Sequence, residues 1–169
     1  NEFVERGANS GRSSKEMAEH CNVVITCLPS PKDCSEVMES KDGVLAGLSE
    51  GKIWLEMSTT DEAEIRRIGA LVDAVGALPI DCPVSGGCHR ADTGNISIFA
   101  GCTREAFELA LPILTTMGRR VLHTGDLGTA SKLKVMTNYL ATVNLTSIAE
   151  ALTTMKALGM DMNVTYEAI

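Results

Sequence analysis

A side chain suited to acid/base work, Lys134, and an amide, Asn138, stand four residues apart in the last third of the chain. At that spacing they share one face of any helix that carries them. A neutral lysine amine accepts a proton and its ammonium returns it, which is the pairing a reversible proton transfer needs. A lysine on a helix is more often a solvated surface charge, so its surroundings decide. Just upstream lies Gly125-Asp126-Leu127-Gly128-Thr129, and earlier in the chain lies Asp81-Cys82-Pro83-Val84-Ser85-Gly86-Gly87. A Ser-Gly-Gly run lets backbone N–H groups approach an anion with no Cβ in the way, so Ser85, Gly86 and Gly87 suit a carboxylate; a plain glycine turn is the alternative. Two weaker clusters complete the set. Cys27-Leu28-Pro29-Ser30-Pro31 reads by itself as a proline-terminated turn. Met57-Ser58-Thr59-Thr60-Asp61 reads either as a helix N-cap or as a hydroxyl and backbone N–H site for a cofactor.

The elements that must hold these clusters follow from periodicity. Val23 to Leu28 is a continuous β-rich apolar run ended by Pro29, the pattern of a strand buried on both faces. Further strands are predicted at Ile53 to Met57, Leu78 to Val84, Ile96 to Gly101 and Val121 to His123. Between them lie helical stretches at Cys34 to Leu48, at Asp61 to Val75 capped by Thr59 or Thr60, and at Arg104 to Met117. Residues 2–19 read as two short helices about a turn at Gly11, the second capped by Ser13 or Ser14. Alternating strands and helices indicate βαβ units, hence an α/β fold with a doubly wound sheet. Each cluster then follows a strand, where open α/β sheets bind ligands.

From Ala130 to about Leu158 there is neither Pro nor Gly, which predicts one unusually long helix. Its apolar face moves: Met136, Tyr139, Leu140 and Val143 share one side, whereas Ile148, Leu152 and Met155 are rotated from it. Two successive faces call for two partners, the sheet domain for one and a further helical domain or second subunit for the other. Lys134 and Asn138 point away from the first stripe.

Composition narrows the function classes. A hydrophobic content of 44% with 22% charged residues is that of an ordinary globular protein, and a net charge of -7 argues against a nucleic-acid surface. Apolar runs are strand-sized, short of the roughly 20 residues of a bilayer span, and no secretory signal pattern opens the sequence, so the expected location is the cytoplasm. The cysteines (Cys21, Cys27, Cys34, Cys82, Cys88, Cys102) form no CxxC pair, which favours reduced thiols over zinc or disulfides. Cys27 and Cys82 are expected in the core, and no metal site is expected.

The ordered set Leu28-Pro29, Ser58-Thr59, Asp81 to Gly87, Gly94 with its following strand, Gly125-x-x-Gly128 and Lys134-x-x-x-Asn138 resembles the β-hydroxyacid dehydrogenase family. The resemblance is to its 3-hydroxyisobutyrate dehydrogenase and tartronate semialdehyde reductase members, which are 6-phosphogluconate dehydrogenase-like. It implies that Leu28 and Pro29 line a cofactor path and that Thr59 contacts the nicotinamide ribose of NAD or NADP. Ser85, Gly86 and Gly87 would bind the substrate carboxylate, Lys134 would be the general acid/base, and Asn138 would position substrate and lysine. His89 and Arg90 either add anion contacts or are exposed loop residues.

Departures from the family pattern shape the remaining expectations. The family's first strand and Gly-x-Gly-x-x-Gly turn are not in the sequence, and Ala130 and Lys132 differ from the usual residues. The chain therefore reads as an incomplete Rossmann-like sheet followed by a long interdomain helix. Residues 1–128 form a partial dinucleotide-binding domain, and 129–169 open a C-terminal all-α domain. The implied parent is an oxidoreductase acting on a small hydroxy acid, homo-oligomeric through the long helix and inactive as this fragment. The competing reading is a non-catalytic assembly module. A flavodoxin-like binding protein leaves Lys134 and Asn138 unexplained.

Overall fold

A computed structural model describes residues 2–169. The chain divides into two compact units, Asn1–Lys134 and Val135–Ile169. In the first unit the elements run α1 (Glu2–Glu5), α2 (Ser14–His20), β1 (Val23–Thr26), α3 (Pro31–Glu39), a 3-10 turn at Val44–Ala46, β2 (Ile53–Glu56) and α4 (Glu62–Ala74). They continue with β3 (Leu78–Asp81), β4 (Val84–Ser85), α5 (Gly87–Asp92), β5 (Ser97–Gly101), α6 (Arg104–Met117) and β6 (Arg120–Gly125). Helix α7 (Thr129–Ala157) begins in this unit and continues in the second, where α8 (Met162–Ala168) follows.

The strands form one mixed sheet. β1, β2 and β3 are parallel; β5 runs antiparallel to β3 and β4 and parallel to β6. Side-chain alternation sends Ile53, Leu55 and Ile80 into a core shared with Ile98 and with Ala106, Phe107, Ala110 and Leu114 of α6. Trp54 and Val24 point the other way, into a core with Ala18, Cys34, Met38, Ile65, Ile68 and Val72 from α2, α3 and α4. Helices on both faces of the sheet give the α/β architecture expected of the sequence.

Register places the last residue of five strands in one line. Thr26 pairs with Glu56, Glu56 with Asp81, Asp81 with Gly101 and Gly101 with Gly125. Every loop that carries a candidate cluster leaves the sheet at or just beyond this line, Ser85 to Gly87 apart.

Several local expectations are corrected. β1 is not buried on both faces: Val24 and Thr26 are buried, but Ile25 is 46% exposed, because β1 is an outer strand bonded only to β2. The strand ends at Thr26, so Cys27 is exposed and not a core residue, whereas Cys82 is buried as expected. The helix predicted at Cys34 to Leu48 stops at Glu39, since Asp42-Gly43 turns the chain before the short 3-10 segment; Pro31 begins it. Asp61 caps α4, accepting from the Glu64 N–H, in place of Thr59 or Thr60. Ser13 caps α2. The strand predicted at Leu78 to Val84 is broken at Cys82-Pro83, where proline has no N–H for the ladder, although the Pro83 carbonyl still accepts from Phe99 N–H. His89 and Arg90 are exposed, on the short α5 and not in a loop. The long helix is observed as α7, and Met136, Tyr139, Leu140 and Val143 stand exposed on it.

Candidate active site

The first two clusters are tied together by a buried carboxylate. Glu56, at the end of β2, is fully buried. Its Oε2 accepts from Thr26 Oγ1 at 2.5 Å and from Cys34 Sγ at 3.0 Å, and its Oε1 accepts from the Ser58 N–H at 2.7 Å. Trp54 Nε1 donates to Thr26 Oγ1 at 2.8 Å, and the Leu28 N–H donates to Ser58 Oγ at 2.7 Å. The chain therefore enters its turns after β1 and β2 with Leu28 and Ser58 in direct contact. Burial and the neighbouring Glu56 carboxylate push the Cys34 thiol far up, so it is a packing and donor group, not a nucleophile.

Beside the turn after β1 lies space for a ligand. A cavity of about 450 Å³ is lined by Ser14, Leu28, Pro29, Asp33, Glu36, Val37 and Ser40. Its two carboxylates suit hydroxyl groups better than phosphates. Thr59 is exposed, and the hydroxyl of Thr60 is the one buried side-chain oxygen without a hydrogen-bond partner among the described residues. An unpaired buried hydroxyl costs free energy.

The third cluster is bound to the start of α7. Asp81, fully buried at the end of β3, accepts from the Ser131 N–H at 2.8 Å and from the Ser131 hydroxyl at 2.7 Å. Burial raises the Asp81 carboxyl above its ordinary value, outweighing the Ser131 hydrogen bonds that pull it down. Ala130 and Ser131 are buried with it, so the first turn of α7 is clamped to the strand-end line. Neither Glu56 nor Ser131 was singled out by the sequence reading. An acid inside an apolar strand is a usable signal for Glu56; Ser131 has no local signal, because its partner is remote in sequence.

Lys134 lies three residues beyond the clamp and is half-buried, and burial lowers its ammonium pKa. Lys132 differs: its Nζ pairs with Glu62 at 2.7 Å at the surface, and this bond lowers the Glu62 carboxyl. Asn138 is an exposed residue of α7 in the second unit.

Ser85 closes β4, opposite Ser97 of β5, and the backbone then turns at Gly86 (φ 136°) and Gly87 (φ 73°). Both angles lie where a side chain is strained. The space beside the Gly87 Cα is open, whereas a Cβ on Gly86 would meet Arg90. Ser85, Gly86 and Gly87 thus form one turn with accessible backbone, as an anion cradle requires. Among the described residues no cluster of His, Cys, Asp and Glu is placed to hold a metal ion.

The profile of the NAD binding domain of 6-phosphogluconate dehydrogenase matches residues 1–125. The chain belongs to this family. It is 34% identical over 165 residues to the NAD-dependent L-serine dehydrogenase of Pseudomonas aeruginosa, covering 98% of this chain and 55% of that protein. It is 32% identical over 160 residues to the mitochondrial 3-hydroxyisobutyrate dehydrogenase of mouse, covering 95% of this chain and 48% of that protein. Among solved structures, the Mycobacterium tuberculosis 3-hydroxyisobutyrate dehydrogenase with L-serine superimposes with a TM-score of 0.86 at 28% identity, over 98% of this chain and 56% of that one. The chain spans about half the length of the curated relatives it matches.

Proposed function

We propose that the protein of which this chain is part is an NAD(P)-dependent dehydrogenase of small β-hydroxy acids such as 3-hydroxyisobutyrate or L-serine, with Lys134 as general acid/base. The observation that carries the proposal is the double hydrogen bond from Ser131 to Asp81, which fixes the first turn of α7, and with it a half-buried lysine, to the strand leading to Ser85-Gly86-Gly87. Relatives named as hydroxy-acid dehydrogenases support the substrate class.

Residues 1–128 are assigned to a partial dinucleotide-binding domain and 129–169 to the opening of an all-α domain. Leu28, Pro29 and Thr59 would hold the nicotinamide cofactor, NAD or NADP. The carboxylate-lined cavity at Leu28-Pro29 fits its ribose hydroxyls. When bound, the nicotinamide ring supplies the hydride acceptor. Ser85, Gly86 and Gly87 hold the substrate carboxylate by backbone N–H groups. Lys134, neutral, takes the hydroxyl proton as the carbonyl forms, and its ammonium returns the proton in reduction. Burial lowers its pKa in the direction this role needs. Asn138, one helical turn on, orients substrate and lysine. The enzyme is assigned to the cytoplasm and to a homo-oligomer formed through α7; no helix is long and apolar enough to cross a membrane among the described residues.

The test is Lys134→Ala in a protein extended to the length of its relatives, assayed with 3-hydroxyisobutyrate and L-serine and with each cofactor. Loss of a proton-transfer catalyst lowers kcat by about 10²- to 10⁴-fold. Oxidation at the parent rate would overturn the assignment. Assembly without catalysis is the second reading, favoured by the exposed apolar residues of α7. An extended protein that self-associates yet turns over no hydroxy acid would establish it.

A further inference from the structure

At the opposite end of β5 from the strand-end line, the structure gathers positive charge that the proposed dehydrogenase site does not use. A cavity of about 770 Å³ is lined by His89, Arg90, Thr93, Asn95, Ser97, Arg119 and Arg120. Four residue steps separate Ser97 from Gly101, so this cavity lies about 13 Å along the strand from the line of Thr26, Glu56 and Asp81. No carboxylate lines it. In a chain of net charge -7, that is a local reversal of sign.

The three arginines differ from most of their kind here. Arg6, Arg12, Arg66, Arg67 and Arg104 each pair with a glutamate. Arg90, Arg119 and Arg120 pair with no acid among the described residues; Asp92, two positions from Arg90, does not line the cavity. Three exposed arginines thus line one cavity that has no carboxylate in its wall, and an anion placed there is attracted by all three.

The backbone that presents them is well tied. Arg120 is the register partner of Ser97, which is in turn the partner of Ser85, so the three lie in one row across β6, β5 and β4. The Arg119 N–H donates to the Ile96 carbonyl at 3.1 Å, and the Asn95 N–H donates to the Arg90 carbonyl at 2.8 Å. Thr93 Oγ1 donates to the His89 and Arg90 carbonyls at 3.2 and 3.3 Å and accepts from Asn95 Nδ2 at 3.3 Å. The loop is thereby folded back onto α5, and the Ser97 hydroxyl is left as an additional donor on the cavity wall.

We propose that this cavity binds a small phosphate-bearing anion. Guanidinium forks match phosphoryl oxygens two at a time, and three forks with an imidazole and a hydroxyl suit a diphosphate or phosphate ester better than a single carboxylate. The volume falls within the range of small-molecule sites. The cavity adjoins the carboxylate cradle, since Ser97 pairs with Ser85 and Arg90 lies beside Gly86, but it is built from side chains rather than from the cradle's backbone N–H groups.

Calorimetric titration of the full chain with sodium pyrophosphate at low ionic strength tests it. One saturable site is expected, weakened at least tenfold in the Arg119→Gln/Arg120→Gln double variant and in Arg90→Gln, and unchanged in Arg104→Gln. Absence of saturable binding, equal affinity in the double variant, or citrate binding as tightly as pyrophosphate would each overturn the proposal. Should the double variant fail to fold, amide chemical shifts of the parent protein with pyrophosphate decide: perturbations centred on Asn95, Ser97 and Arg120 support the site, and perturbations centred elsewhere refute it.

Discussion

Lys134 is useful at the residue scale because its environment moves its titration in a known direction. Burial disfavours the ammonium, so the folded-state pKa lies below the ordinary value of about 10.4. Two consequences follow for one group. Between the lowered pKa and the ordinary one, the unfolded chain binds more protons than the folded chain, so this lysine makes stability rise with pH across that window. In the extended protein, kcat/KM for hydroxy-acid oxidation should rise with pH as the amine is released, with a limb centred below the ordinary lysine range. A pH-rate profile checks this. A limb at the ordinary lysine value, or one that survives in Lys134→Ala, would detach the proton transfer from this residue.

At the element scale the decisive contact is the one between β3 and α7. Ser131→Ala removes a hydroxyl donor from a buried carboxylate that keeps only backbone donors, and should cost about 1–3 kcal/mol in urea unfolding. The same clamp carries a pH signature. Asp81 has a raised folded-state pKa, so its contribution is fully present below the ordinary aspartate value and is lost as pH rises through the raised one. Asp81→Asn should flatten that part of the stability curve, measured by thermal melts across the acid range; an unchanged curve would show that Asp81 does not titrate there. Much of the element plan was legible, because strand and helix periods are local: α6 and α7 were placed nearly to the residue. What was hidden depends on partners distant in sequence. Nothing beside Ser131 announces Asp81, nothing beside Arg119 and Arg120 announces Arg90, and the exposure of Ile25 follows from β1's place at the rim of the sheet. The cap at Asp61 was missed because Thr59 and Thr60 are also good caps and only geometry chooses among them.

At the scale of the whole molecule, α7 offers Tyr139, Leu140, Val143, Leu145 and Ile148 exposed along one helix, more apolar surface than a solvated helix ordinarily shows. If that surface serves self-association, sedimentation should give a species of twice the chain's mass, and Leu145→Glu with Ile148→Glu should return it to one; a single-chain species in the parent protein would refute assembly through this helix. The common finishing line of the strands has a different consequence. Thr26, Glu56, Asp81, Gly101 and Gly125 stand abreast, reached by β1, β2 and β3 from one side and by β5 and β6 from the other. Buried groups in or next to that row, Glu56 and Asp81 among them, hold the turns that leave it. A substitution in the row should therefore disturb several turns at once, whereas one farther out along a turn should stay local.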